Sequence, residues 1–551
     1  FQTVGTLAGT NLGTVSGVTA SGTVNGNTAT DAALGGLVGA NGNFGFGFGS
    51  GPGSITNSHA DVDVSSASIN VALGGLVGFN APGSIIFGSS ASGNVIATAG
   101  VNKGGEGCSF SNSCQHVSAG GLVGDNLGTI AFSFATGDVF VGTNGTAGGL
   151  VGFSSGIISN AFAVGNVTGA AGTGGVDGDG GSTTLGGLVG VNQGGISNSA
   201  AFGDVGGANV ANLQAGGLVG DNSGAILSST AFGNVQAGDG SNAGGLVASN
   251  SANTFGCNGC TNGDGSPFFN TAFIFDSHAL GNVTVGAASV AGGFVGAGDG
   301  FIASSTAFGN VLGGGNSVLG GFIGALSFEN GAGVILASGA AGSVTSTGPN
   351  SIVGGFAGLT GGTILASAST GPVTGTSDSY LGGFAGVNLG TIAASFTTPD
   401  ANVTGTGTRD IVGGFVGANF GSIDSSSSAG NATAGALSTV GGFAGTNARF
   451  INFAPGSIPA SSFPSGSITN SSASGSASGG PGSTTGPFVA SNDPTSASRP
   501  PAFPSIVGNC NDALCFFINT GILPPPTGTC SKSSCSPWRP SRRRSSWVSP
   551  R

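Results

Sequence analysis

The sequence predicts an all-β parallel solenoid, and three observations carry that expectation. The first is a repeat: Ala215 to Ala243 reads AGGLVGDNSGAILSSTAFGNVQAGDGSNA, and Gly244-Gly245-Leu246-Val247 begins it again. The second is a period of two within the unit, where Ser199, Ala201, Gly203 and Val205 fall on every second residue and so share one side of a strand. The third is composition. Gly supplies 116 of 551 residues and charged residues only 6%, while hydrophobic residues reach 38% with mean hydropathy +0.32. That is enough for a core, unlike a charged disordered chain, and there is no G-X-Y period as in collagen.

A globular chain of this length would split into several domains, whereas a repeat buries each copy against the next and needs no division. The first Gly of each GG pair falls at Gly35, Gly74, Gly120, Gly148, Gly186, Gly216, Gly244, Gly292, Gly320, Gly354, Gly382, Gly413 and Gly441, with a degenerate copy at Gly5. A spacing of 28 residues recurs five times, as from Gly120 to Gly148, and longer spacings are this unit plus a corner insertion. About fourteen coils result.

Each unit reads as three short strands, exemplified by Leu218-Val219, Ile226-Leu227 and Ser229 to Val235, with Gly and Asn at the corners. The pattern leaves open which face of the third strand points inward, because the alternate position holds Phe202, Phe232 or Phe308 in some copies and Ser92 or Thr136 in others. Six residues after the first Gly stands Asn11, Asn41, Asn80, Asn126, Asn192, Asn222, Asn250, Asn388, Asn419 or Asn447. Asn tolerates a left-handed corner, and its amide can donate to and accept from the same residue one rung away, so we expect an Asn ladder. The residue after GG is Leu through Leu246 and Phe from Phe294 onward. Its successor shrinks to Ala at Ala357, Ala385 and Ala444, as conserved core volume requires.

The consensus GGLVGxNxGxIxNSxAxGxV resembles the GLUG repeat, over about Gly5 to Gly475. That repeat is found in filamentous-haemagglutinin-like bacterial exoproteins of the two-partner secretion type and beside the catalytic part of some IgA-specific metallopeptidases. The resemblance implies a β-helix that is secreted or held at a bacterial cell surface, with an outer-membrane secretion partner. We expect the solenoid over residues 1–476, a Pro/Ser/Gly-rich linker over 477–505, and a Cys-containing, Arg-rich tail over 506–551 that is disordered or forms a small disulfide-bearing cap.

All eight Cys fall in close pairs: Cys108/Cys114, Cys257/Cys260, Cys510/Cys515 and Cys530/Cys535. The first two pairs lie in the insertions of long repeats, where a disulfide would restrain a loop; Cys257-Asn-Gly-Cys260 lacks the βαβ context of a redox motif and a matching half for zinc. Disulfides imply an oxidising, exported location.

No chemistry is concentrated anywhere. His59, His116 and His278 stand outside any HExxH, so metallopeptidase chemistry has no residues here. His59 with Asp61 and Asp63 could bind a cation or move a proton, but the simpler reading is an exposed strand variation. Asp125 and Asp221 share one repeat position, Asp138 and Asp204 another, in copies that are not consecutive. Glycoside chemistry needs its two carboxylates within about 5–9.5 Å. In a display rod, Asp221 should be exposed at its corner.

Up to Asn492, Lys103, Arg409 and Arg449 face 19 acidic residues, a net −16 that repels nucleic acid and anionic membrane. No stretch is long and apolar enough for a transmembrane helix. Phe1 opens the chain without a signal-like segment and Met is absent, so we expect any export signal to lie outside these residues. The expected function is structural: an exported, adhesin-like rod whose loops Val95 to Ser118 and Asn250 to Phe269 meet a cell-surface or matrix ligand, protein or glycan. Neither catalysis nor a cofactor or metal is expected. The alternative is a polysaccharide lyase or hydrolase on the same scaffold.

Overall fold

The computed structural model describes residues 2–26, 31–43, 51–101, 117–174, 181–251, 272–327, 333–448 and 466–492. Among them every regular element is a strand, and every strand pairing is parallel between successive coils of a solenoid. Four faces follow one another around each coil. The first runs from Gln2–Gly5 to Thr484–Gly486 and the second from Ala8–Asn11 to Val489–Ser491, each with 15 strands. The third runs from Thr14–Ser16 to Ser467–Thr469 with 14 strands. The fourth begins as the continuous strands Thr19–Asn25 and His59–Ser66 and afterwards breaks into two short strands per coil, as at Thr230–Ala231 and Val235–Ala237.

The stack therefore holds fifteen coils, one more than the GG pairs suggest, and continues past residue 476 to Ser491. The last copy reads Gly486-Pro487-Phe488-Val489-Ala490-Ser491-Asn492, so Pro in place of the second Gly hides it. Phe488 nevertheless stacks on Phe443 at 4.9 Å.

The repeat's Gly pair forms the corner between the first and second faces by close approach. A Cβ on Gly216 would collide with the Val219 carbonyl oxygen, and one on Gly217 with the Gly245 carbonyl oxygen of the next coil. Inside, each repeat position forms a column. Leu218, Leu246, Phe294 and Phe322 follow one another fully buried, and from Phe294 to Phe443 the rings stack 4.6–4.8 Å apart. Ile196, Ile226, Ile274 and Ile302 make a second column from the third face. The inward side of the fourth face is also fixed: Ala201 and Val205 are buried, while Phe202 is 46% exposed.

Outside that core, the first and second faces fold toward each other and bury a crease between them. In later coils it is apolar, with Ile352 and Leu359, then Tyr380 and Val387. Earlier coils place Ser118, Gln214 and Asn242 there.

Candidate interaction surface

The Asn positions lie together as strand residues at the end of the second face. The amide of Asn11 donates to Asn41 Oδ1 at 2.8 Å, Asn41 to Asn80 at 2.9 Å and Asn80 to Asn126 at 2.8 Å. Asn126 donates to Ser154 Oγ; beyond it Asn192 donates to Asn222 at 2.7 Å and Asn222 to Asn250 at 2.8 Å. After a gap at Gly298, Leu326 and Thr360, Asn388 donates to Asn419 and Asn419 to Asn447, both at 2.8 Å. Asn250 Nδ2 faces Gly298 and is buried without a partner. None of these Asn is left-handed, which corrects the corner expectation: a residue that shares in-register strand pairing needs extended backbone. Other residues hold the left-handed conformation, such as Asn198 (φ 49°) and Asn316 (φ 56°).

Each of those left-handed residues introduces a Ser ladder that the Asn pattern does not reveal. At the corner between the third and fourth faces, the Ser199 amide donates to Ser229 Oγ, the Ser229 amide to Ser277 Oγ and the Ser277 amide to Ser305 Oγ, at 3.2–3.3 Å. Every hydroxyl donates in turn to the carbonyl two residues back, as Ser229 does to Leu227 at 2.8 Å. A second Ser ladder runs through Ser241, Ser289, Ser317, Ser351 and Ser379 at the corner before the first face. Asp410 takes the next position: the Ser379 amide donates to its Oδ1 at 3.1 Å, and the Asp410 amide donates to Ser438 Oγ. Asp410 is fully buried and its Oδ2 lacks a well-formed hydrogen bond. Burial raises its carboxyl to about 7 against the opposing pull of the Ser379 and Gly407 amides. Outside it, Arg409 grips Asp378 through two bonds of 2.7 and 2.6 Å.

The acidic positions do not converge. Asp125 is buried in the crease, and Asp221 is half-buried there rather than exposed at a corner, because the outward side of the second face folds against the first. Phe153 and Val191 separate them, so they stand three rungs apart, about 14 Å at the usual strand spacing. Asp138 and Asp204 are tied into an exposed Asn/Asp ladder, each accepting the backbone amide of the next rung, Asn166 at 2.7 Å and Asn234 at 2.8 Å. His59 joins a polar cluster on the fourth face: its Nδ1 lies 2.8 Å from Ser90 Oγ and its Nε2 3.3 Å from Ser92 Oγ, which donates to Asp61 at 3.0 Å. His278 meets Thr306 at 2.7 Å. Among the described residues no three His, Cys, Asp or Glu side chains group to hold a metal. Cys108, Cys114, Cys257, Cys260, Cys510, Cys515, Cys530 and Cys535, His116, and most of the two display loops lie outside the described residues.

What does converge is apolar. On either side of the corner between the third and fourth faces, outward side chains form aromatic columns. Phe134 and Phe162 stack at 4.9 Å and 1°, Phe202 and Phe232 at 4.7 Å and 6°, and Phe273 and Phe301 at 5.4 Å and 5°. That corner has two residues in each of the fourteen coils that have a third face, as with Ser228-Ser229 between Leu227 and Thr230. The longer insertions leave the chain elsewhere: residues 102–116 precede a first-face strand, and residues 252–271 and 449–465 precede third-face strands.

Residues 30–65 match the family model described as the GLUG motif. The same residue pattern in the same register builds the other coils, so the solenoid is made of GLUG-type repeats. No curated protein and no solved structure matches the chain. No helix among the described residues is long and apolar enough to cross a membrane.

Proposed function

We propose that this chain is an exported, adhesin-like structural rod, secreted or held at a bacterial cell surface, that presents corner loops to a protein or glycan ligand on a cell or matrix. The observation that carries this reading is the division of labour around the coil. Strand register passes unbroken from Asn192 through Asn222 to Asn250, while the 20 residues of 252–271 are inserted directly after that ladder without disturbing the next strand, Phe273–Phe275. A stack that tolerates such insertions is a carrier of loops. The filamentous-haemagglutinin-like kinship and a dedicated outer-membrane secretion partner belong to the same reading.

The competing reading is a polysaccharide lyase or hydrolase. The separation of Asp125 from Asp221, and their placement in a closed crease, weigh against it. The test compares the full chain with a variant in which residues 252–269 are replaced by a short Gly-Ser turn. Under the display reading the variant keeps its β signal in circular dichroism and loses binding to cells or matrix proteins. Release of reducing ends from a polysaccharide panel, abolished by Asp221→Ser, would overturn it.

A further inference from the structure

We propose that the aromatic ribbon along the corner between the third and fourth faces is where a second copy of this chain packs, side against side about a two-fold axis. This inference goes beyond the display reading and does not rest on it, because no display loop contributes to the ribbon.

Area is the first argument. Eight outward Phe on the two faces and their corner, Phe202, Phe232 and Phe308 among them, are 37–56% exposed. At about 200 Å² per Phe side chain they present roughly 700 Å². Neighbouring Ile, Leu and Val such as Ile157 and Leu227, 56% and 38% exposed, bring the ribbon to about 1,000 Å². A monomer's largest apolar patch is usually about 300–600 Å², and a stable interface takes about 800 Å² from each partner.

Spacing selects the occupant. Phe134/Phe162 and Phe202/Phe232 are each parallel pairs at the coil spacing, and Phe162 meets Phe202 nearly at right angles, 6.4 Å and 88°, so the rings already pack on one another as a continuous apolar ridge. Side chains set 4.7–4.9 Å apart along the ridge match another surface with the same rise per coil, and the surface certain to have it is this one. A two-fold axis lets the ribbon meet itself. The two-residue corner itself carries no insertion.

Charge sets the conditions. Asp138 and Asp204 border the ribbon and Asp276 sits at its corner, while the only described Lys or Arg, Arg409, lies at a different corner. Anionic membranes and nucleic acids are repelled. Two copies also repel each other through these borders, so pairing should tighten as salt screens them.

The test is sedimentation of the full chain across concentration, at about 0.05 M and about 0.5 M NaCl. The expected result is a monomer–dimer equilibrium that shifts toward dimer at the higher salt. The paired variant Phe202→Thr/Phe232→Thr should weaken it by about tenfold or more with an unchanged β signal. Thr is already native to this column, at Thr136, Thr370 and Thr398. Phe308→Thr provides an independent variant if the pair fails to fold. A chain that stays monomeric at every concentration and both salts overturns the proposal. So does a dimer indifferent to these substitutions, or a monomer that instead floats with neutral phosphatidylcholine vesicles through Phe202.

Discussion

Asp410 is the one position in the second Ser ladder where a carboxylate replaces a hydroxyl, and its replacement by Ser should change how stability depends on pH. Its carboxyl moves from the ordinary 3.8 to about 7, chiefly through desolvation, with the nearby Asp378 carboxylate adding to the rise and Arg409 opposing it. The folded chain thus holds a proton that the unfolded chain gives up near pH 4. The stabilisation is complete below about pH 4 and is lost as pH rises through about 7. A shift of roughly three units at about 1.4 kcal/mol each gives a change on the order of 4 kcal/mol in all, of which the part above pH 5 is on the order of 3 kcal/mol. Because coils open locally, the assay is hydrogen exchange of peptides spanning Val373 to Val416, at pH 5 and pH 8, corrected for intrinsic rates. The wild type should lose protection there at pH 8. Asp410→Ser should remain protected at both, since a Ser hydroxyl can accept the Ser379 amide as Ser379 Oγ accepts that of Ser351 at 3.2 Å. Asp410→Asn, which keeps the shape without the charge, should also flatten the profile. If both variants retain the wild-type pH dependence, Asp410 is not its source and the argument from desolvation fails.

Asn222→Ala removes the acceptor of Asn192 and the donor to Asn250, whose own amide already lacks a partner, so it should cost about 1–3 kcal/mol in a urea melt. Gly216→Ala forces a methyl against the Val219 carbonyl and should cost about 1–3 kcal/mol or more, read by the same melt. Reduction of the chain should leave the β signal in circular dichroism nearly intact while cleavage within residues 102–116 and 252–271 becomes faster, as limited proteolysis would report. Fifteen coils at about 4.8 Å should give small-angle scattering of a rod roughly 70 Å long, and a sphere-like profile would contradict the stack.

Repetition made the stack legible, because a column is visible in sequence wherever one residue type recurs at one register. Asn222 and Phe356 are placed in this way by the repeat alone. The second Ser ladder was harder to see, since Ser is abundant everywhere and its corner varies in length between copies. The aromatic ribbon was hidden for a different reason: alternation in Ser199 to Val205 shows that two faces differ but not which is inside, and Phe202 beside Ala201 invites the wrong choice. Volume decides. Columns of Leu218, Ile226 and Val235 already meet at the centre of the coil, and only the small side chain of Ala201 fits between them and the Gly pair, where its Cβ lies close to Gly187. Asp221 is not exposed as expected because the repeat gives no sign that two outward faces close on each other. That closure follows from the Gly pair, which turns the chain so tightly that the outward sides of the first and second faces pack on each other. The same corner thus fixes what this rod can present: polar groups beside it are buried as structure, and the opposite corner, where no such crease forms, leaves its aromatic columns in solvent.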